Sequence, residues 1–123
     1  MVGGIDMKPT DLMIKDWVMV KVLSQIPNTY VLHTWAANDY SRNLQVKPIP
    51  LTTEILEKNG WVYTEYCHEY QYGKNIIQSR LPYMWIRING IHIEDFKCEY
   101  VHQYQHLLRL CGLNELANNF KVV

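Results

Sequence analysis

The sequence predicts an α+β protein: a twisted antiparallel sheet with a short helix midway and a closing helix near the C-terminus. Three observations carry that prediction. Residues 16–23 set Val18, Val20 and Val22 against Trp17, Met19 and Lys21, the period of two that marks a half-buried strand. Asn89-Gly90 stands between two alternating runs, residues 83–88 and 91–96, and supplies the positive-φ pair of a type I′ hairpin turn. Over residues 100–110 the period becomes helical, with Val101, Tyr104, Leu107, Leu108 and Cys111 on one stripe and Gly112 behind them as terminator.

Residues 1–6, with Gly3 and Gly4 together, have no periodicity and read as a flexible extension ahead of a single domain spanning residues 7–123. Thr10 before Asp11-Leu12-Met13 suits the cap of one helical turn. Strands over residues 16–23, 29–35 and 44–47 are separated by turns at Pro27-Asn28 and Asn38-Asp39, a meander that Pro48-Ile49-Pro50 stops. An SH3-like barrel portion is one way for this meander to close. Residues 51–60 read as a short helix, with Thr52 or Thr53 as N-cap, Glu54 in the first turn, Ile55 and Leu56 facing inward and Gly60 at the end.

Residues 61–67 alternate as a strand, the Tyr-rich residues 69–73 suit a loop, and residues 75–81 make a partner strand ending at Pro82. Counting outward from Asn89-Gly90 pairs Ile88 with Ile91, Arg87 with His92, Ile86 with Ile93 and Trp85 with Glu94. After the closing helix, residues 113–119 add a last turn and residues 120–123 return as an edge strand. That makes about seven strands and two helices around one core.

A chain of 123 residues is the size of one domain. Six of its twelve basic and six of its twelve acidic residues precede Trp61, so neither half carries the basic footprint that backbone binding to nucleic acid requires. No apolar run approaches the roughly 20 residues that span a bilayer, so no membrane association is expected. Cys67, Cys98 and Cys111 contain no CxxC spacing and suit free thiols in a reducing cytoplasm. Nine Tyr and four Trp against two Phe give nearly every aromatic ring a polar handle, which suits half-exposed binding surfaces.

The candidate ligand site follows from the hairpin register. Trp85, Arg87, His92 and Glu94 share one face, where Trp offers stacking, Arg grips an anion through two donors and His adds a third. Tyr83, Tyr66, Tyr70 and Tyr72 are the candidate walls. The plainer alternative is a solvated sheet face with a salt bridge, since antiparallel sheets commonly leave one side wet. His102 and His106 lie four apart on the closing helix, a spacing that can hold zinc, with Cys98, Glu99 or His92 as a third ligand. Gln103 occupies the position where a zinc hydrolase of this spacing needs a Glu base, so metal hydrolysis is not expected and a pair of hydrogen-bonded histidines is the simpler reading.

Cys67-His68-Glu69 contains the residue types of nucleophilic catalysis, but neighbours on a strand point to opposite faces, so the three do not form a triad. Gly73-Lys74 lacks the preceding glycine of a phosphate loop and no GxGxxG or GxSxG occurs, so no cofactor is implied. Nothing here points to an enzyme class.

Residues 7–12 with Asp16-Trp17-Val18, then residues 48–52 with Glu54-Ile55-Leu56 and Gly60, then residues 100–103 with Gln105-His106 and Leu110-Cys111-Gly112, resemble a family. It is one of small uncharacterised proteins found in gut-anaerobe genomes and in their phages and mobile elements. The resemblance implies a mobile-element setting, in which small proteins counter host defence by blocking a defence protein or sequestering a nucleotide-derived immune signal. The expectation is therefore a non-enzymatic binding protein, a homo-oligomer, whose partner is a nucleotide-derived small molecule or a host defence protein.

Overall fold

The computed structural model describes residues 7–22, 29–65, 69–73, 77–79, 86–88, 91–93 and 98–123. The chain divides into two compact units, Met1–Pro50 with Tyr100–Asn119, and Leu51–Glu99 with Phe120–Val123, and the class is α+β as expected.

The first unit is built on β1 (Trp17–Lys21), β2 (Tyr30–Thr34) and β3 (Val46–Lys47), antiparallel in the order β2-β1-β3. The first strand is central, so the sheet is not the sequential meander that the turn spacing suggested. Among the described residues it is open, not an SH3-like barrel. A two-residue β3 has too few backbone groups to carry closure. Val18 and Val20 face inward as the alternation required, and with Leu12, Trp35 and Val46 they form the core against which Met7 and Leu44 pack. The early helical turn falls two positions sooner than a Thr10 cap predicts, at Pro9–Asp11, because Pro9 presets the first φ and Asp11 Oδ2 accepts the Lys8 N–H at 3.0 Å.

The closing helix α2 (Val101–Leu110) begins where the Val101 N–H bonds Ile49 O at 2.8 Å and Gln103 Oε1 accepts the Tyr100 N–H at 3.1 Å. It ends at Gly112, whose φ of +81° lets the Leu113 N–H return to Leu108 O at 2.9 Å. The short α3 (Asn114–Asn118) follows and buries Ala117. Gln105, fully buried on α2, ties these pieces together. Its Oε1 accepts the Trp17 N–H at 2.9 Å, while Nε2 donates to Lys15 O at 3.0 Å and to Ala117 O at 2.9 Å.

The second unit opens with α1 (Thr53–Lys58), capped by Thr52 Oγ1 accepting the Ile55 N–H at 3.2 Å. Five antiparallel strands follow in chain order: β4 (Val62–Thr64), β5 (Glu69–Tyr72), β6 (Ile77–Ser79), β7 (Ile86–Ile88) and β8 (Ile91–Ile93). The segment expected as a Tyr-rich loop is β5, since pairing sets Tyr70 against Tyr63, with rings 5.2 Å apart, and Gln71 against Val62. The β7–β8 register is the expected one: Ile88 with Ile91, Arg87 with His92, Ile86 with Ile93.

Trp61, 2% exposed, packs against Tyr72 at 4.6 Å and edge-on to Phe120 at 6.0 Å. Residues 120–123 are not an edge strand, because a side chain takes the place of a strand partner. Asn59 Nδ2 donates to Lys121 O at 2.7 Å and the Lys121 N–H donates to Asn59 Oδ1 at 2.6 Å, with Phe120 and Val122 buried on either side.

Gln105→Leu strands one buried N–H and two carbonyls, so it is expected to lower unfolding free energy by about 2–4 kcal/mol in urea denaturation. Leu110→Ala, at an 82% exposed position on the same helix, should stay within about 0.5 kcal/mol of the native protein.

Candidate functional site

In the five-stranded sheet, strand register decides which candidate residues share a face. Val62 pairs with Gln71, Gln71 with Gln78, Gln78 with Arg87 and Arg87 with His92, so one cross-strand row runs the width of the sheet. The neighbouring rows are Tyr63, Tyr70, Ser79, Ile86, Ile93 on one side and Tyr72, Ile77, Ile88, Ile91 on the other. Successive rows alternate between the two faces. Arg87 and His92 therefore share a row with two glutamines, and Tyr70 and Tyr72 belong to rows of the opposite, isoleucine-rich face. Tyr70 and Tyr72 accordingly do not wall the Arg87 row. Trp85, Glu94, Tyr83 and Tyr66 lie outside the described residues, as do Cys67 and His68.

A row of Arg, His and two Gln supplies donors for an anion and paired donor and acceptor groups for a heterocycle or peptide edge. The glutamines were not anticipated from sequence because residues 69–73 read as a loop there, which removed the strand that connects them to Arg87.

The first unit holds a second cluster. Asp16 is fully buried, with Oδ2 accepting the Met13 N–H at 2.7 Å and a bond from His106 Nε2, and Oδ1 accepting Arg109 Nη1 at 2.6 Å. Asp39, also buried, repeats the arrangement: Oδ2 accepts the Ala36 N–H at 2.8 Å and His33 Nε2 at 2.7 Å, and Oδ1 accepts Arg42 Nη1 at 3.0 Å. Burial, the largest influence, pushes the Asp39 carboxyl up, yet His33, the Ala36 N–H and Arg42 together hold it below the usual range. In each case the aspartate also closes a tight turn, its own N–H bonding the carbonyl three residues back at 3.0 Å.

His102 and His106 are neighbours on α2 as their spacing required, rings 5.6 Å apart and edge-on. His106 is committed to Asp16, and His102 is buried with its Nδ1 unpartnered. Among the described residues no three His, Cys, Asp or Glu side chains converge as a metal site. Cys98 is buried and its thiol is pushed far up by desolvation, which suppresses the thiolate that a metal or a nucleophilic reaction needs.

The pairing of Asp16 with Arg109 and of Asp39 with His33 is not legible in the sequence, because each meets its partner across a turn or across some ninety residues. The only local signal was an Asp three residues after a turn start. Comparison with family models, curated proteins and solved structures gives no match in any of the three.

Asp16→Asn leaves Arg109, only 11% exposed, without its counter-charge and is expected to cost about 3 kcal/mol. Adding Arg109→Met to it should restore part of that loss, read as a coupling of about 1–3 kcal/mol in a double-mutant denaturation cycle.

Proposed function

We propose that this protein is a non-enzymatic binding protein that sequesters a nucleotide-derived immune signal, serving a phage or mobile element against host defence. The observation that carries the binding role is the row of Arg87, His92, Gln78 and Gln71 across the five-stranded sheet. Arg and His suit a phosphate, and side-chain amides suit the edge of a base. The balance of twelve basic and twelve acidic residues favours a small ligand over a nucleic-acid backbone. The mobile-element setting is what the sequence resemblance implies. No helix among the described residues is long and apolar enough to cross a membrane.

The test is native mass spectrometry of the protein alone and with a panel of cyclic and ADP-ribose-type nucleotides. A stoichiometric adduct released chemically unchanged on denaturation is expected. Arg87→Ala should weaken it about tenfold or more, equivalent to about 1.4 kcal/mol, while moving the thermal midpoint by no more than about 2 °C. An altered nucleotide would mean hydrolysis instead of storage.

A second reading, a protein-binding adaptor or inhibitor of a host defence protein, is favoured by the edge of β2. The Val22 N–H bonds Thr29 O and the Trp35 N–H bonds Asp16 O, each at 2.8 Å, which sets the parity of the β1–β2 ladder. Residues 31 and 33 thus turn their peptide groups toward β1, and residues 30, 32 and 34 turn theirs outward. Val31 and Leu32 on this edge are 49% and 39% exposed, without the Lys, Pro or bulge that usually guards one. An extended segment of a partner can pair there. On this reading Leu32→Pro, which removes one outward N–H and none in the ladder, abolishes capture of a host protein and leaves nucleotide binding intact.

A further inference from the structure

On α2, His102, His106 and Arg109 occupy positions i, i+4 and i+7, so three basic side chains share one stripe. Two of them, His106 and Arg109, converge on the one buried carboxylate of residues 13–17, Asp16, and both of its oxygens are engaged, Oδ1 by Arg109 and Oδ2 by His106 and the Met13 N–H. His102 is differently placed. It is 7% exposed, its Nδ1 is buried without a hydrogen-bond partner, and its ring lies stacked on Tyr100 at 6.2 Å. The titratable groups facing it are His106 on its own helix, Asp16 ahead of β1, and Asp11 in the Pro9–Asp11 turn, whose Oδ2 already holds the Lys8 N–H. A proton on His102 therefore meets a second imidazole and carboxylates that are already engaged.

Residues 13–17 are fastened to α2 by side chains: Gln105 to the Trp17 N–H and Lys15 O, His106 and Arg109 to Asp16, and Arg109 Nη2 to Ile14 O at 3.3 Å. No backbone pairing between the two segments backs them up among the described residues. All of these side chains lie within seven residues of His102 on one helix, so a displacement of α2 that hydrates His102 strains them together.

We infer that His102 is the trigger of an acid-sensitive latch, in which protonation of its imidazole releases residues 13–17 from α2. Burial foremost, and then the neighbouring His106, hold the imidazole below its ordinary pKa, with Asp16 and Asp11 partly opposing. Folded, His102 is neutral; released, it titrates at about 6.5. The released form therefore binds the extra proton. The closed latch is fully favoured above about pH 6.5 and loses ground as pH falls from there toward the folded-state value, by up to about tenfold in opening per pH unit.

The test is amide hydrogen exchange of the full chain between pH 7.5 and 5.0, corrected for the intrinsic pH dependence of exchange. Exchange of the Trp17 N–H, which bonds Gln105 Oε1 on α2, should rise by up to about tenfold per pH unit below about pH 6.5, while β4 and β5 keep their protection. In His102→Gln that rise should be absent. The same rise in His102→Gln, or an equal rise in β4 and β5, would overturn the latch, the latter by showing global unfolding. Should His102→Gln not fold, the imidazole proton of His102 followed by NMR in the native protein decides. A midpoint below about 6.5 that coincides with the opening is expected, and a midpoint at or above that value would sink the proposal.

Discussion

The first unit depends on one buried carboxylate. Asp16 precedes the central strand and meets His106 and Arg109 some ninety residues later in the chain. A bare carboxylate in that position would cost several kcal/mol of lost hydration. Two basic side chains and one peptide N–H replace the lost water, which fixes the start of β1 against a particular turn of α2. Gln105, the residue before His106 on the helix, adds three bonds to peptide groups of the same region and of α3. Apolar packing alone tolerates sliding, but these bonds have a single register.

Asp39 repeats the solution within the same unit, with His33 in the role of His106, Arg42 in that of Arg109 and the Ala36 N–H in that of Met13. Trp35 links the two sites. Its N–H bonds Asp16 O, its carbonyl accepts from the Lys15 N–H, and its ring stands edge-on to His33 and to Tyr40. Buried ion pairs add little net stability over an apolar core, because desolvation offsets most of the Coulomb gain. Their effect here is orientation, since each carboxylate holds its turn in one conformation while its bases anchor neighbouring elements.

The second unit rests on a different constraint, the period of two. Once β5 is a strand, pairing carries Gln71 to Gln78, Gln78 to Arg87 and Arg87 to His92, and leaves the isoleucines and tyrosines in the alternate rows. A polar row and an apolar face then follow with no further choice. The polar residues of the Arg87 row and the isoleucines of the alternate rows are thus separated by parity alone.

Much of this was legible in the residues. The class, β1 with Val18 and Val20 inward, α1 with its Thr52 cap, the β7–β8 register and α2 ending at Gly112 all arise from local periodicity, capping and turn chemistry, which act over a few residues. What the sequence hid has a common physical cause. The central position of β1, the strand at β5, the Asn59 bonds that replace a C-terminal strand, and the Asp16 and Asp39 clusters all depend on which distant groups meet. Tyr-rich residues 69–73 carry no local strand signal that outweighs a loop, and only pairing with β4 and β6 decides their state. His102 and His106 were visible as a pair from their spacing. That His106 belongs to a carboxylate and His102 to the interior was decided by tertiary structure alone, because burial and charge pairing are properties of the folded environment and spacing along a helix does not encode them.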